Sequence, residues 1–175
     1  MNADLVFSLA AFLGMRPSEI AGLRWEDVTD AEIYVRQAVV RGIAGDTKTP
    51  QSQRTLPLLE PVRSLIAAYR KQCAGISEGW LFQSRAGGPV KMESFIKHKI
   101  MPAVREAELP WYGLYAARRA CATNLVSLTG NVNAAYQVLG NSRDHFDHRR
   151  DCHSEPFTCT YCGERVVCRS VDSNH

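Results

Sequence analysis

Three cations stand where local chain geometry could present them to an anion. Arg16 falls in the turn Gly14-Met15-Arg16-Pro17, just ahead of an expected helix N-terminus. Unpaired backbone N–H groups and the positive end of the helix dipole already favour negative charge at such a place. Lys48 falls at the tip of an expected β-hairpin, from which a flexible cation can reach into a neighbouring groove. Arg118 comes one helical turn after Tyr115, so the two side chains share a helix face. An arginine supplies a planar fork for two phosphate oxygens, and a lysine supplies a proton-donating point charge. Converging, the three would clamp a phosphodiester. Singly, each reads as a solvated surface cation, and spacing alone does not establish convergence.

A second set of chemically capable residues lies at the other end of the chain. His148-x3-Cys152 is followed by Cys159-x2-Cys162, and His175 comes after a further x12 interval. Cys-x2-Cys puts two thiolates on one tight turn, and a third ligand about a dozen residues on would help close a tetrahedral zinc site. Four of the six cysteines and four of the five histidines follow residue 141. Residues 142–175 carry five Lys+Arg against six Asp+Glu, a net −1, which leaves +4 of the overall +3 for the rest. Composition and charge both change there, so a boundary is expected between a domain at 1–142 and a tail at 143–175.

The whole chain of 175 residues is about one domain by length, at ~100–200 residues each. With 45% hydrophobic and 22% charged residues it is not a disordered polypeptide. A net charge of +3 permits a nucleic-acid partner without arguing for one. The start, Met1-Asn2-Ala3-Asp4, has no basic region of a signal peptide, and no apolar run approaches the ~18–20 residues of a membrane span. The expectation is an intracellular protein, cytoplasmic or nuclear, not secreted and without a membrane partner. In such a compartment clustered cysteines suit metal better than disulfides.

The elements that must position these residues are mainly helical. Leu5, Val6, Leu9, Phe12 and Leu13 follow helical spacing, and Gly14 ends that run. Pro17 and Ser18 open a second helix with an apolar face of Ile20, Leu23 and Val28. Glu32 to Val40 is β-branched and aromatic and reads as one strand. Polar, turn-rich residues 42–53 follow, and Arg54 to Leu58 returns as its hairpin partner. Further helices are expected from Pro61 to about Gly75, Met92 to Glu106, Leu114 to Leu128 and Val132 to Leu139. The fold class is α+β, mainly helical, with a small antiparallel hairpin or sheet and a short irregular Cys/His-rich tail.

Four segments of this framework resemble the tyrosine recombinases, the phage-integrase family. Gly14-Met15-Arg16-Pro17-Ser18-Glu19-Ile20-Ala21-Gly22-Leu23-Arg24-Trp25-Glu26-Asp27-Val28 is similar to the family's first arginine signature. Thr47-Lys48-Thr49 with Arg54-Thr55-Leu56-Pro57-Leu58 resembles its lysine-bearing hairpin. Tyr115-Ala116-Ala117-Arg118-Arg119-Ala120-Cys121-Ala122-Thr123 resembles its "H-x-x-R-[RH]-x-x-A-T" helix, and Leu139-Gly140-Asn141-Ser142 its "L-G-H-S" turn. The resemblance implies an integrase-like catalytic core that acts on DNA without cofactor, with self-association on DNA. Arg16 and Arg118 would hold the scissile phosphate and offset transition-state charge. Lys48 would protonate the leaving 5′ oxygen, Glu19 would support Arg16, and a tyrosine would attack to form a phosphotyrosine link.

This chain departs from that pattern at three places. Tyr115 stands where the family has histidine, and a phenol is a poor base at neutral pH. Asn141 stands at the family's second histidine position and cannot titrate. About nine residues past that turn, where the nucleophilic tyrosine is expected, stands Arg150, and the nearest downstream tyrosine is Tyr161 within Cys159-x2-Cys162. The resemblance therefore implies a catalytically defective domain. It also begins near the start of the family's catalytic domain, without the preceding DNA-gripping domain. DNA binding is then expected to be weak, salt-sensitive and nearly sequence-independent.

The tail resembles TRAF-type zinc fingers, with His148-x3-Cys152 closing one unit and Cys159-x2-Cys162-x12-His175 opening another. Neither unit is whole. Cys168 as an additional ligand, one site from His148, Cys152, Cys159 and Cys162, and a mis-joined segment that binds nothing all stay open. The competing class is a zinc-binding adaptor module in which the integrase-like half is only a scaffold.

Overall fold

The computed structural model describes residues 2–46, 53–140, 157–158 and 165–166. Helix α1 spans Ala3–Leu13 and begins where the Asn2 side chain accepts a hydrogen bond from the Asp4 N–H at 2.9 Å. It ends at Gly14, whose φ of +61° is the left-handed conformation glycine tolerates best. Leu5, Val6, Leu9, Ala10 and Leu13 form its buried stripe. Phe12, expected on that face, lies at its margin and is half exposed.

Helix α2 is only Pro17–Ala21. The longer helix expected through Val28 does not form, because backbone hydrogen bonds beyond Gly22 go elsewhere. Leu81 donates to the Leu23 carbonyl at 2.8 Å and Trp25 donates to the Gly79 carbonyl at 2.9 Å. Trp25–Asp27 then makes a single 3-10 turn. Gly22 also has no room for a side chain, since a Cβ there would fall 2.8 Å from the Gln37 carbonyl oxygen.

The expected single hairpin is two hairpins. Strand β1 (Glu32–Val35) pairs antiparallel with β4 (Arg54–Pro57), with Ile33 opposite Leu56 and Val35 opposite Arg54. Strand β2 (Gln37–Val40) pairs instead with β3 (Ile43–Asp46), inside the segment expected to be loop. The reason is the connection Arg41-Gly42, with φ of +54° and +84°. Two consecutive left-handed residues make the tight turn that matches strand twist and returns the chain at once. The turn-forming composition around Gly42, Gly45 and Asp46 masks the short strand.

Helix α3 (Glu60–Gln72) buries Val62, Ile66 and Tyr69, and the Tyr69 ring stacks on Trp25 at a centroid distance of 5.9 Å. The helix expected over 92–106 is present as α4 (Met92–Phe95), a π-helical turn at Ile96–Ile100 and α5 (Met101–Glu106). Pro102 lacks an N–H and crowds the preceding turn, and a π turn just upstream absorbs that misfit. Helices α6 (Leu114–Thr129) and α7 (Val132–Leu139) fall where the apolar spacing puts them. Helix α1 lies against α3 and α6 over the main core, and α7 lies on α6, where Ala122, Ala135 and Leu139 form a second, smaller cluster. The observed class is thus mainly helical with small antiparallel sheets. In the tail, β5 (Phe157–Thr158) pairs antiparallel with β6 (Arg165–Val166).

Candidate functional site

Glu19 is the centre of the site. It occupies the first turn of α2, where its Oε2 accepts the backbone N–H of Arg16 at 2.8 Å, one half of a capping box. The same carboxylate binds the Arg16 side chain, Nη1 to Oε1 at 2.7 Å. Arg54, at the start of β4, places Nη1 3.0 Å from Oε1 and Nη2 2.9 Å from Oε2. Arg118 comes from α6 and brings Nη1 to 3.8 Å from Oε2. Three guanidiniums from a turn, a strand and a helix therefore meet one carboxylate. Arg16 and Arg118, expected to converge, do so.

Burial distinguishes the three. The Arg54 and Arg118 side chains are 7% and 8% exposed and Glu19 is 2%, whereas Arg16 is 30% exposed. Arg16 is thus the face that the cluster shows to solvent. Arg118 also donates to the Gly14 carbonyl and, at 2.7 Å, to the Leu139 carbonyl. Arg54 donates through Nε to the Val138 carbonyl at 2.7 Å. These are carbonyls at the ends of α1 and α7, which lack intrahelical partners and lie at the negative end of a helix dipole. One network consequently holds the turn bearing Arg16 and the turn that precedes Asn141.

The charges respond to this arrangement. Burial pushes the Glu19 carboxyl upward, but the hydrogen bond and charge of Arg54, aided by Arg16, outweigh it and hold the group below its ordinary value. Burial, followed by the like charge of Arg16, pulls Arg118 down to about 10, so it remains a cation at neutral pH. Burial raises the Cys121 thiol, partly offset by Arg118. The cluster thus carries three cations against one anion, an excess of positive charge facing the solvent at Arg16.

Tyr115 lies in the first turn of α6, one turn before Arg118, and is 60% exposed. Lys48, Asn141 and the tail residues His148, Cys152, Cys159, Cys162 and His175 lie outside the described residues. Among the described residues, no three His, Cys, Asp or Glu side chains gather as a metal site would require. No helix among them is long and apolar enough to cross a membrane. The residue that sequence reasoning missed is Arg54. A signal for it exists: Arg54, Leu56 and Leu58 alternate along one strand face, and Leu56 and Leu58 are buried.

Comparison with known proteins agrees with this architecture. Tyrosine recombinase XerC of Xanthomonas campestris pv. campestris (strain B100) is 23% identical over 129 residues, covering 74% of this chain and 37% of that protein. The chain therefore spans little more than a third of the length of that relative. The structure of the Tn1549 transposon integrase (residues 82–397), in complex with circular intermediate DNA, superposes with a TM-score of 0.66 at 21% identity, covering 79% of this chain and 51% of that one. The XerA recombinase crystal structure gives 0.65 at 20% identity, with 79% and 47% covered. These structures share the fold. The model of the phage integrase family matches residues 1–146, which takes in every element from α1 to α7 and the whole arginine cluster, and the chain belongs to that family.

Proposed function

We propose that residues 1–142 form a tyrosine-recombinase catalytic domain that binds the DNA sugar–phosphate backbone and, in this chain, does not cleave it unaided. The observation that carries the reading is the meeting of Arg16 and Arg118 at one buried carboxylate, with Arg16 open to solvent. Two guanidiniums held on one anchor can grip the non-bridging oxygens of a phosphodiester and offset the charge of a five-coordinate phosphorus. Were a nucleophile supplied to form the new bond to phosphorus, Lys48 would give the departing 5′ oxygen its proton. Tyr115 and Asn141 donate hydrogen bonds. The Tn1549 integrase was solved on DNA, which supports the same partner here. Self-association on that DNA belongs to the same reading, as does a site inside the cell.

Arg150 at the expected nucleophile position argues for binding without covalent chemistry. The test is a nicked suicide duplex that traps any phosphotyrosine adduct, run beside a salt titration of duplex binding. Salt-dependent binding with no adduct is the expected result. An adduct formed by this chain alone overturns the catalytic defect, and an absence of binding at low salt overturns the DNA reading.

A second reading concerns the tail, 143–175, as a zinc-binding segment of TRAF type. What supports it is that β5 and β6, which flank Cys159 and Cys162 in sequence, pair antiparallel with each other. The expected result is about one zinc per chain by elemental analysis, removed by Cys159→Ser. Zinc-free protein purified without chelator would end this reading and the adaptor alternative with it.

A further inference from the structure

The Glu19 carboxylate is shared, and its larger partner is the residue to which no role has been given. Arg54 spends both terminal nitrogens on Glu19 and its Nε on the Val138 carbonyl. One guanidinium thereby ties β4 to α2 and to the last turn of α7. It reaches Glu19 from a different element than Arg16 does, and both oxygens that orient Arg16 are also bound by Arg54. The space it occupies is reserved as well: at Gly140 a Cβ would stand 2.9 Å from the Arg54 Nη1 and 3.0 Å from its Cδ. Stability alone is a weak reason for such a cluster. A buried ion pair can often be replaced by apolar side chains without loss, and three like charges around one carboxylate repel one another.

We infer that Arg54 is a positioning residue, which clamps Glu19 so that Arg16 is presented to the DNA phosphate in a fixed orientation and the α7 end is held in register with it. The inference rests on the DNA reading given above. Arg54 is 7% exposed, so it acts through Glu19 and not by touching DNA.

Arg54→Lys tests it, because lysine keeps the charge and loses the two-pronged geometry. The probe is a short fluorescent DNA duplex of mixed sequence, followed by anisotropy across a range of salt concentrations. Arg54→Lys is expected to weaken binding about tenfold and to lower the salt dependence by about one phosphate contact, as Arg16→Gln does. The double variant Arg16→Gln/Arg54→Lys is expected to lose no more than Arg16→Gln alone. Wild-type affinity and salt slope in Arg54→Lys, or additive losses in the double variant, overturn the inference.

If Arg54→Lys proves unfolded by circular dichroism, Gly140→Ala, whose Cβ presses on Arg54 while Glu19 stays in place, is used instead, with a several-fold loss of affinity expected and wild-type affinity overturning the inference. If instead Arg16→Gln leaves binding unchanged in the wild-type background, or the wild-type chain binds no duplex, the DNA reading fails by itself. Positioning is then read from the NMR signal of the Arg16 Nε–Hε group. A shifted, faster-exchanging signal in the Arg54 variant supports it, and an unchanged one overturns it.

Discussion

Arg54 and Glu19, 35 positions apart in the sequence, face each other as a two-pronged ion pair with N–O distances of 3.0 and 2.9 Å, both side chains almost wholly buried. The pair joins a strand to the first turn of a helix, and two further guanidiniums lean on the same carboxylate. Bringing these groups out of water is costly, and their arrangement offsets that cost only while the anion is present.

Removing Glu19 should therefore destabilise the domain far more than a surface substitution does. Glu19→Ala leaves three cations with no counter-charge, and loss of one partner from a buried pair costs about 3–5 kcal/mol. Urea denaturation should show a lower midpoint with an unchanged slope. A thermal midpoint within a degree or two of wild type would mean that the cluster is solvated and the pair weak.

The same pair should make stability sensitive to acid. The folded-state pKa of Glu19 is lowered from the ordinary 4.5. A carboxyl with a depressed folded value binds protons more readily when unfolded, so its contribution is complete above about pH 5 and is lost as pH falls through the folded value. Stability of the wild-type chain should decline below the ordinary carboxyl range, and Glu19→Gln should remove part of that slope while lowering stability at neutral pH. Parallel acid profiles for the two proteins would show that another carboxylate is responsible.

Glycine 140 gives a way to disturb Arg54 without touching it. Gly130 and Gly140 both end helices in the left-handed conformation, at φ of +63° and +60°. A Cβ at Gly130 meets nothing within 4 Å, while one at Gly140 meets the Arg54 guanidinium at 2.9 Å. Gly130→Ala should cost only the backbone term, about 1–2 kcal/mol. Gly140→Ala should cost that and displace Arg54, weakening DNA binding several-fold where Gly130→Ala leaves it unchanged. Equal effects on binding would show that Arg54 gives way without consequence.

Much of this fold is legible in the sequence, because helices α1, α3, α6 and α7 announce themselves by apolar spacing and by Gly14, Gly130 and Gly140 at their ends. The short helix α2 and the β2–β3 hairpin are less so. Their limits are set by tertiary hydrogen bonds, such as Leu81 to the Leu23 carbonyl, and by a two-residue turn whose composition resembles a longer loop. At the site, Arg16, Glu19 and Arg118 stand in motifs with recognisable neighbours. Arg54 stands in a strand where an arginine reads as a solvated edge, and only the alternation with Leu56 and Leu58 hints that it points inward. Its role depends on partners 35 and 84 residues away, which local pattern does not encode.

Arg118 should prove intolerant of even the most conservative change. Its Nη1 and Nη2 donate to the Gly14 and Leu139 carbonyls, so a single planar group spans the end of α1 and the end of α7. Lysine has three donors but presents them from a single nitrogen, which cannot stand at both Nη positions, so the geometry favours one carbonyl over the other. The other is then left buried without its partner, a penalty of about 1–3 kcal/mol. Arg118→Lys should therefore lower stability by about that amount, measurable by urea denaturation. It should also reduce duplex affinity more than the loss of one phosphate contact, because the turn bearing Arg16 is loosened in the same stroke. Arg118 holds its proton up to about pH 10 and does not titrate between pH 6 and 9, whereas burial and the neighbouring cations pull a lysine there below its ordinary value, so the gap from wild type should widen toward pH 9. A gap that closes across that range would place the effect on some other titrating group, and full affinity in Arg118→Lys would show that the charge alone, without the bridge, is what DNA meets.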